Sequence, residues 1–268
     1  MLVAIRNIRA SRVNLLMNDI AAGLPSPLAI LSLGSAIAGD IGFDRWSVRV
    51  LPILHAVTIS PGRTKPEWEL KNSAYRPVEI PEDLIGTVTL SILLDIPGLD
   101  DLAALDSAFD RRTIAGGAIQ NRQVDIRSIA SDTPMFPQIS RGFALLPPEN
   151  SDLIQVSAGD TESLRTLAEG LFPATPELKS GWTVPAAIGY RLLEDPATAP
   201  RRSGVRSSDT PHVFAEPLTG VAELVSIRTP RLTSLTQEAF PDLAWSWRAE
   251  GDLITGHSAY HETLVHRT

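Results

Sequence analysis

Apolar and polar positions alternate in several stretches of this chain and fall at spacings of three and four in others, so it predicts strands interleaved with a few helices. Residues 2–9, LVAIRNIR, read as a first strand, and SRVNLLMNDIAAG after them as an irregular connection rich in glycine and small polar residues. Ser26 stands at an N-cap position with Pro27 first in the helix, where a missing N–H costs nothing. The apolar, small-residue run PLAILSLGSAIAG that follows predicts a largely buried helix. WSVRVLPILHAVTIS reads as a second strand with a kink or an edge position at Pro52, and GTVTLSILLDI as a third. Between them lies a polar, proline-bearing excursion, PGRTKPEWELKNSAYRPVEIPED. Residues 99–110 predict a second helix, with acids early and Arg111–Arg112 at its end.

The order strand, helix, strand, strand, helix, completed by a strand at 142–146 (GFALL), is the βαββαβ pattern of a ferredoxin-like or RRM-like core. The expected class is therefore α+β. Residues 1–150 would form that core, with a protruding β-hairpin in the excursion at about 60–85, and residues 151–268 an irregular, β-rich second part packed on it. In this second part, 161–172 predict a helix and WTVPAAIGY a strand that buries Trp182. DPATAPRRSGVRSSDTP reads as a loop, and LAWSWRAEGDLITGHSAYHETLVH as strands around a Gly251–Asp252 turn. Many unrelated activities use this architecture, so the pattern by itself speaks to fold rather than function.

Composition narrows the possibilities. The 268 residues are 43% apolar and 21% charged, an ordinary globular balance. With no cysteine, disulfides, thiolate nucleophiles and cysteine metal sites are excluded. No stretch reaches the roughly 18 to 20 apolar residues of a membrane span, so a soluble, cytoplasmic protein is expected. The net charge of −7 argues against a free-standing nucleic-acid binder, yet arginines gather at 6–12, 111–127 and 201–206, and local sign governs a binding face.

No phosphate-loop, dinucleotide, zinc-protease or serine-hydrolase signature is present. Glu79, Glu82 and Asp83, or Asp100 and Asp101, could be imagined as a carboxylate pair, but acids at helix starts and in loops also have ordinary structural roles. His257 and His261 are four apart with Tyr260, Glu262 and His266 nearby, a metal-like spacing only if the segment were helical. Arg111 and Arg112 run straight into TIAGGAIQNRQVDIR, where Gly116 and Gly117 allow close backbone approach to a phosphate and Arg122 and Arg127 add charge. Arg201, Arg202 and Arg206 lie in a basic Ser/Gly loop. Arg63 and Lys65 sit where a hairpin tip could lie along a nucleic-acid backbone, with Trp68 and Tyr75 offering stacking faces.

Taken in order, several segments resemble the Csy-two (Cas-five-f) family of type I-F CRISPR systems: RASRVN with AAGLPSPLAILSLGSAI, the PGRTKPEWELKNSAYRPVEIPEDLIGTVTLSILLDIPG excursion, RRTIAGGAI, SRGFALLPPE, KSGWTVPAAIGY, TPHVFAEPLTGVAELVS and AWSWRAEGDLITGH. The family's Asn/Ala-bearing first turn falls here on Arg12 and Asn14. The resemblance implies a subunit that cuts nothing and carries no cofactor or metal. It would bind the 5′ handle of the crRNA, cap a backbone of Cas-seven-type subunits, dock a Cas-eight-type large subunit and meet target DNA within the complex, with no membrane contact. The RNA-binding set it implies is Arg12, Asn14, Arg63, Lys65, Arg111, Arg112, Gly116, Gly117, Arg122, Arg201, Arg202 and Arg206. Three alternatives stay open: the equivalent subunit of a compact or type IV complex that also touches duplex DNA, a plain β-rich interaction protein, and a hydrolase using the acids near Glu82.

Overall fold

The computed structural model describes residues 1–18, 21–60, 68–71, 73–77, 84–109, 112–147, 165, 168–169, 171–172, 181–202 and 212–256. It is an α+β structure whose strands are antiparallel and mostly joined in one open sheet. The first strand, β1 (Leu2–Asn14), leads to helix α1 (Pro27–Asp40), then to β2 (Arg49–Ile59). A separate two-stranded ladder, β3 (Trp68–Lys71) with β4 (Ala74–Pro77), occupies the expected excursion. Then come β5 (Ile85–Asp95), helix α2 (Ala103–Ala108), the short strands β6 (Thr113–Ile114), β7 (Gly117–Ile119) and β8 (Asp125–Ser128), and β9 (Phe143–Leu146). The long pair β10 (Gly181–Leu192) and β11 (Ala215–Ser226) follows, then β12 (Trp245–Ser246), β13 (Arg248–Glu250) and β14 (Leu253–Thr255).

β5 lies between β1 and β2, antiparallel to both. Because both faces of this central sheet are covered, its strands read as nearly continuous apolar runs. Alternate residues serve two cores. Val3, Ile5, Val50 and Leu94 pack in one cluster with Ile30 and Ile37 of α1, whereas Leu2, Ala4, Leu51 and Leu93 pack in the other with Phe136 and Phe240. Pro27 takes the first position of α1 as expected, and Ser26 caps it without a side-chain hydrogen bond. The outer edge of β2 is shared by β12 at Arg49–Val50 and β9 at Ile53–Leu54. Pro52, which has no N–H to give, falls between the two ladders.

The segment expected as the fourth core strand forms a strand but lies elsewhere in the sheet. β9 pairs with β2 and β11, whereas β7 and β8 occupy the outer edge of β1. The chain returns to β1 directly after α2, so that edge is filled before residues 143–146 are reached. The sheet thereby runs without interruption from the first half of the chain into the second.

Trp182 is not a core residue. It is 64% exposed and lies against the Phe143 ring, with centroids 5.3 Å apart. On the outer side of β10, β14 pairs only with Gly189–Arg191, so no described strand flanks the Trp182 end. Among the described residues the buried tryptophan is Trp245, whose indole N–H donates to the Leu145 carbonyl at 2.8 Å. The turn expected at Gly251–Asp252 joins β13 to β14, and the helix expected at 161–172 lies largely outside the described residues.

Candidate nucleic-acid interface

Two irregularities in β1 shape one face of the molecule. Asn7 and Arg12 have φ of 52° and 57°, and each lies where the register against β5 shifts, as a β-bulge requires. The Asn7 N–H leaves the ladder and donates to the buried Ser91 hydroxyl at 3.0 Å. Between the bulges, Asn121 straps the strand: its Oδ1 accepts the Arg9 N–H at 2.7 Å and its Nδ2 donates to the Asn7 carbonyl at 3.0 Å. Arg9 and Arg12 are thus held on a fixed backbone with exposed side chains that pair with no described residue. Asn14 is used internally: its Oδ1 accepts the Leu16 N–H, a local Asx turn, and its own N–H donates to the Ala115 carbonyl.

The two glycines of the TIAGGAI segment have different jobs. Ala115 and Gly116, at φ 44° and 79°, make the two-residue turn between β6 and β7, where a tight hairpin needs positive φ at both positions. Gly116 is open to solvent. A Cβ on Gly117 would come within 2.7 Å of the Val13 backbone, so the close approach that this glycine permits is to β1 and not to a ligand.

The arginines divide in the same way. Arg112 donates to the Ala108 carbonyl at 3.2 Å and pairs with Asp40, fixing the end of α2 to the last turn of α1. Arg122 is exposed and has no partner among the described residues. Both line a hollow of about 650 Å³ between the end of α2 and the β7–β8 connection. A second hollow of about 460 Å³, lined by Arg9, Ser11, Thr87 and Gln120, adjoins it and shares Asn121. Among the described residues neither lining contains an acid, although the chain is acidic overall. Asp125, between the lining residues Val124 and Ile126, is neutralised: desolvation pushes its carboxyl up, but hydrogen bonds and charge from Arg127 and Arg6 outweigh this and hold it below its ordinary value.

In the loop after β10, Arg201 is exposed, but Arg202 is a structural clasp. It makes two hydrogen bonds to Glu194, at 2.6 and 2.9 Å, donates to the His212 carbonyl, and lies 4.4 Å over the Phe214 ring. Arg202, and to a lesser extent the Phe214 N–H, hold the Glu194 carboxyl below its ordinary range. Arg63, Lys65, Arg111 and Arg206 lie outside the described residues, as do Glu79, Glu82, Asp83 and the histidines from His257 onward. Asp101 acts locally, its Oδ1 accepting the Ala103 N–H at the start of α2. Among the described residues, no group of three or more His, Asp or Glu could hold a metal ion, and no helix is long and apolar enough to cross a membrane.

Sequence reasoning missed Arg9, Ser11, Thr87, Gln120 and Asn121 as members of this face. Only Arg9 carried a signal, as one of the arginines at 6–12. The others are ordinary polar residues until the sheet brings β1, β5 and β7 together.

No curated protein matches the chain. The family model described as CRISPR-associated protein (Cas_Csy2) matches residues 160–253, a stretch that contains the GWTVPAAIGY segment of β10. That match supports the chain's membership of the Csy2 family of type I-F CRISPR systems.

Proposed function

We propose that this chain is a non-catalytic subunit of a type I-F-like CRISPR surveillance complex and that its bulged β1 face holds the 5′ handle of the crRNA. In the same complex it would cap the Cas-seven-type backbone and dock the Cas-eight-type large subunit. The observation that carries the nucleic-acid part is the pair of adjoining hollows, free of acids among the described residues, beside which Arg9 and Arg122 stand with no described partner in a chain of net charge −7. Phosphate affinity needs uncompensated cations, and Arg9, Arg12 and Arg122 supply them on this face, whereas Arg6, Arg112 and Arg202 are each held by a carboxylate. The remaining acidic surface keeps affinity for nucleic acid modest outside the complex.

Co-purification tests the proposal. Co-expressed with its genomic neighbours and a repeat–spacer array, the chain should bring down a uniform RNA that begins in repeat-derived sequence. Assembly of the partners on the same RNA without this chain would refute the handle-binding role.

A further inference from the structure

We infer that the smaller hollow receives the 2′-hydroxyl of a ribonucleotide and makes this face selective for RNA over DNA, an inference that rests on the nucleic-acid reading above. Gln120 Nε2 donates to Ser11 Oγ at 2.8 Å and to the Ala118 carbonyl at 3.3 Å. A backbone carbonyl only accepts, so the second contact fixes the amide with its nitrogen inward and leaves Oε1 as the free end. Ser11 Oγ, having accepted from Gln120, keeps its own proton to donate. Thr87 and Arg9 line the same space of about 460 Å³.

This combination does not suit a phosphate alone. Phosphate oxygens accept from Arg9 and Ser11 but would leave Gln120 Oε1 facing another acceptor. A ribose 2′-hydroxyl donates to Gln120 Oε1 and accepts from Ser11, satisfying both, and DNA has no such group. Asn121 is already held in place, with each end of its amide bonded to the β1 backbone. Arg9 and Arg122 would grip phosphates on either side, so affinity and sugar discrimination reside in different side chains.

The test is fluorescence anisotropy on the full chain at low salt. The probes are a short repeat-derived RNA, its all-deoxy counterpart, and RNAs with a single 2′-deoxy substitution at each position in turn. The wild type should prefer the RNA, with one position at which the 2′-deoxy substitution weakens binding about three- to tenfold, the worth of one hydrogen bond. In Gln120→Leu, that penalty should vanish, so that the RNA and its 2′-deoxy counterpart at that position bind alike while the variant remains folded. Equal weakening of RNA and DNA by Gln120→Leu would overturn the inference, as would a penalty that follows the base and not the sugar. Arg122→Ala separates the two levels: if it leaves RNA affinity and its salt dependence intact, the nucleic-acid reading itself fails.

Discussion

The Arg112 guanidinium is paired with the Asp40 carboxylate, 72 residues earlier in the chain, and with its bond to the Ala36 carbonyl this contact ties the end of α2 to the end of α1. It marks Arg112 as an internal strut, unlike Arg122 ten residues later. Arg112→Ala should lower the unfolding free energy by about 1–2 kcal/mol through lost charged hydrogen bonds. Urea denaturation checks this, and an unchanged midpoint would count against it.

Arg122→Ala should have the opposite profile. An exposed side chain with no partner leaves stability within about 0.5 kcal/mol on removal. Binding should weaken for all sequences, and the slope of log affinity against log salt should fall by about one phosphate contact. Arg9→Ala should behave similarly in salt titrations.

The two tryptophans Trp245 and Trp182 should differ sharply under mutation. Trp245 is fully buried and bonded to the Leu145 carbonyl, so Trp245→Ala should cost about 3–5 kcal/mol, with Trp245→Phe as a milder variant that keeps the ring. Trp182→Ala removes an exposed ring and should cost under about 1 kcal/mol. Thermal melts of both variants distinguish the two environments.

Acid should loosen the β1 bulge through His55. Its ring accepts from the Ser91 hydroxyl at Nε2 (2.7 Å) and donates from Nδ1 to the Arg141 carbonyl (2.8 Å), while Ser91 accepts the Asn7 N–H. Burial lowers the His55 pKa below 6.5, only partly offset by the Arg141 bond. The unfolded chain therefore takes up the proton first. This stabilisation is fully present above about pH 6.5 and is lost as pH falls from there through the folded-state pKa. His55→Gln should flatten the stability profile across that window, and an unaltered profile would contradict the assignment.

Much of the element order was legible because it depends on local signals. The Ser26–Pro27 start, the apolar run of α1, the Pro52 anomaly and the Gly251 turn each carry their reason in adjacent residues. What escaped depends on contacts distant in sequence. Arg112 and Arg122 look alike until Asp40 is brought beside the first. Gly117 reads as a ligand approach until Val13 is laid against it, and the Trp182 strand pattern does not reveal that this end of β10 has no outer neighbour. The two hollows are likewise a property of three strands together, invisible in any one of them.

The most direct test of the central claim is to co-express the wild-type chain, and a variant combining Arg9→Ala, Arg12→Ala and Arg122→Ala, with the neighbouring genes and a repeat–spacer array. Retained RNA is then sequenced and ultraviolet crosslinks are mapped. The wild type should retain a uniform RNA with a repeat-derived 5′ end, crosslinked to peptides containing residues 9–12 and 118–122, and the variant should lose it while remaining folded. Retention of the same RNA by the triple variant, with crosslinks elsewhere on the chain, would contradict the account.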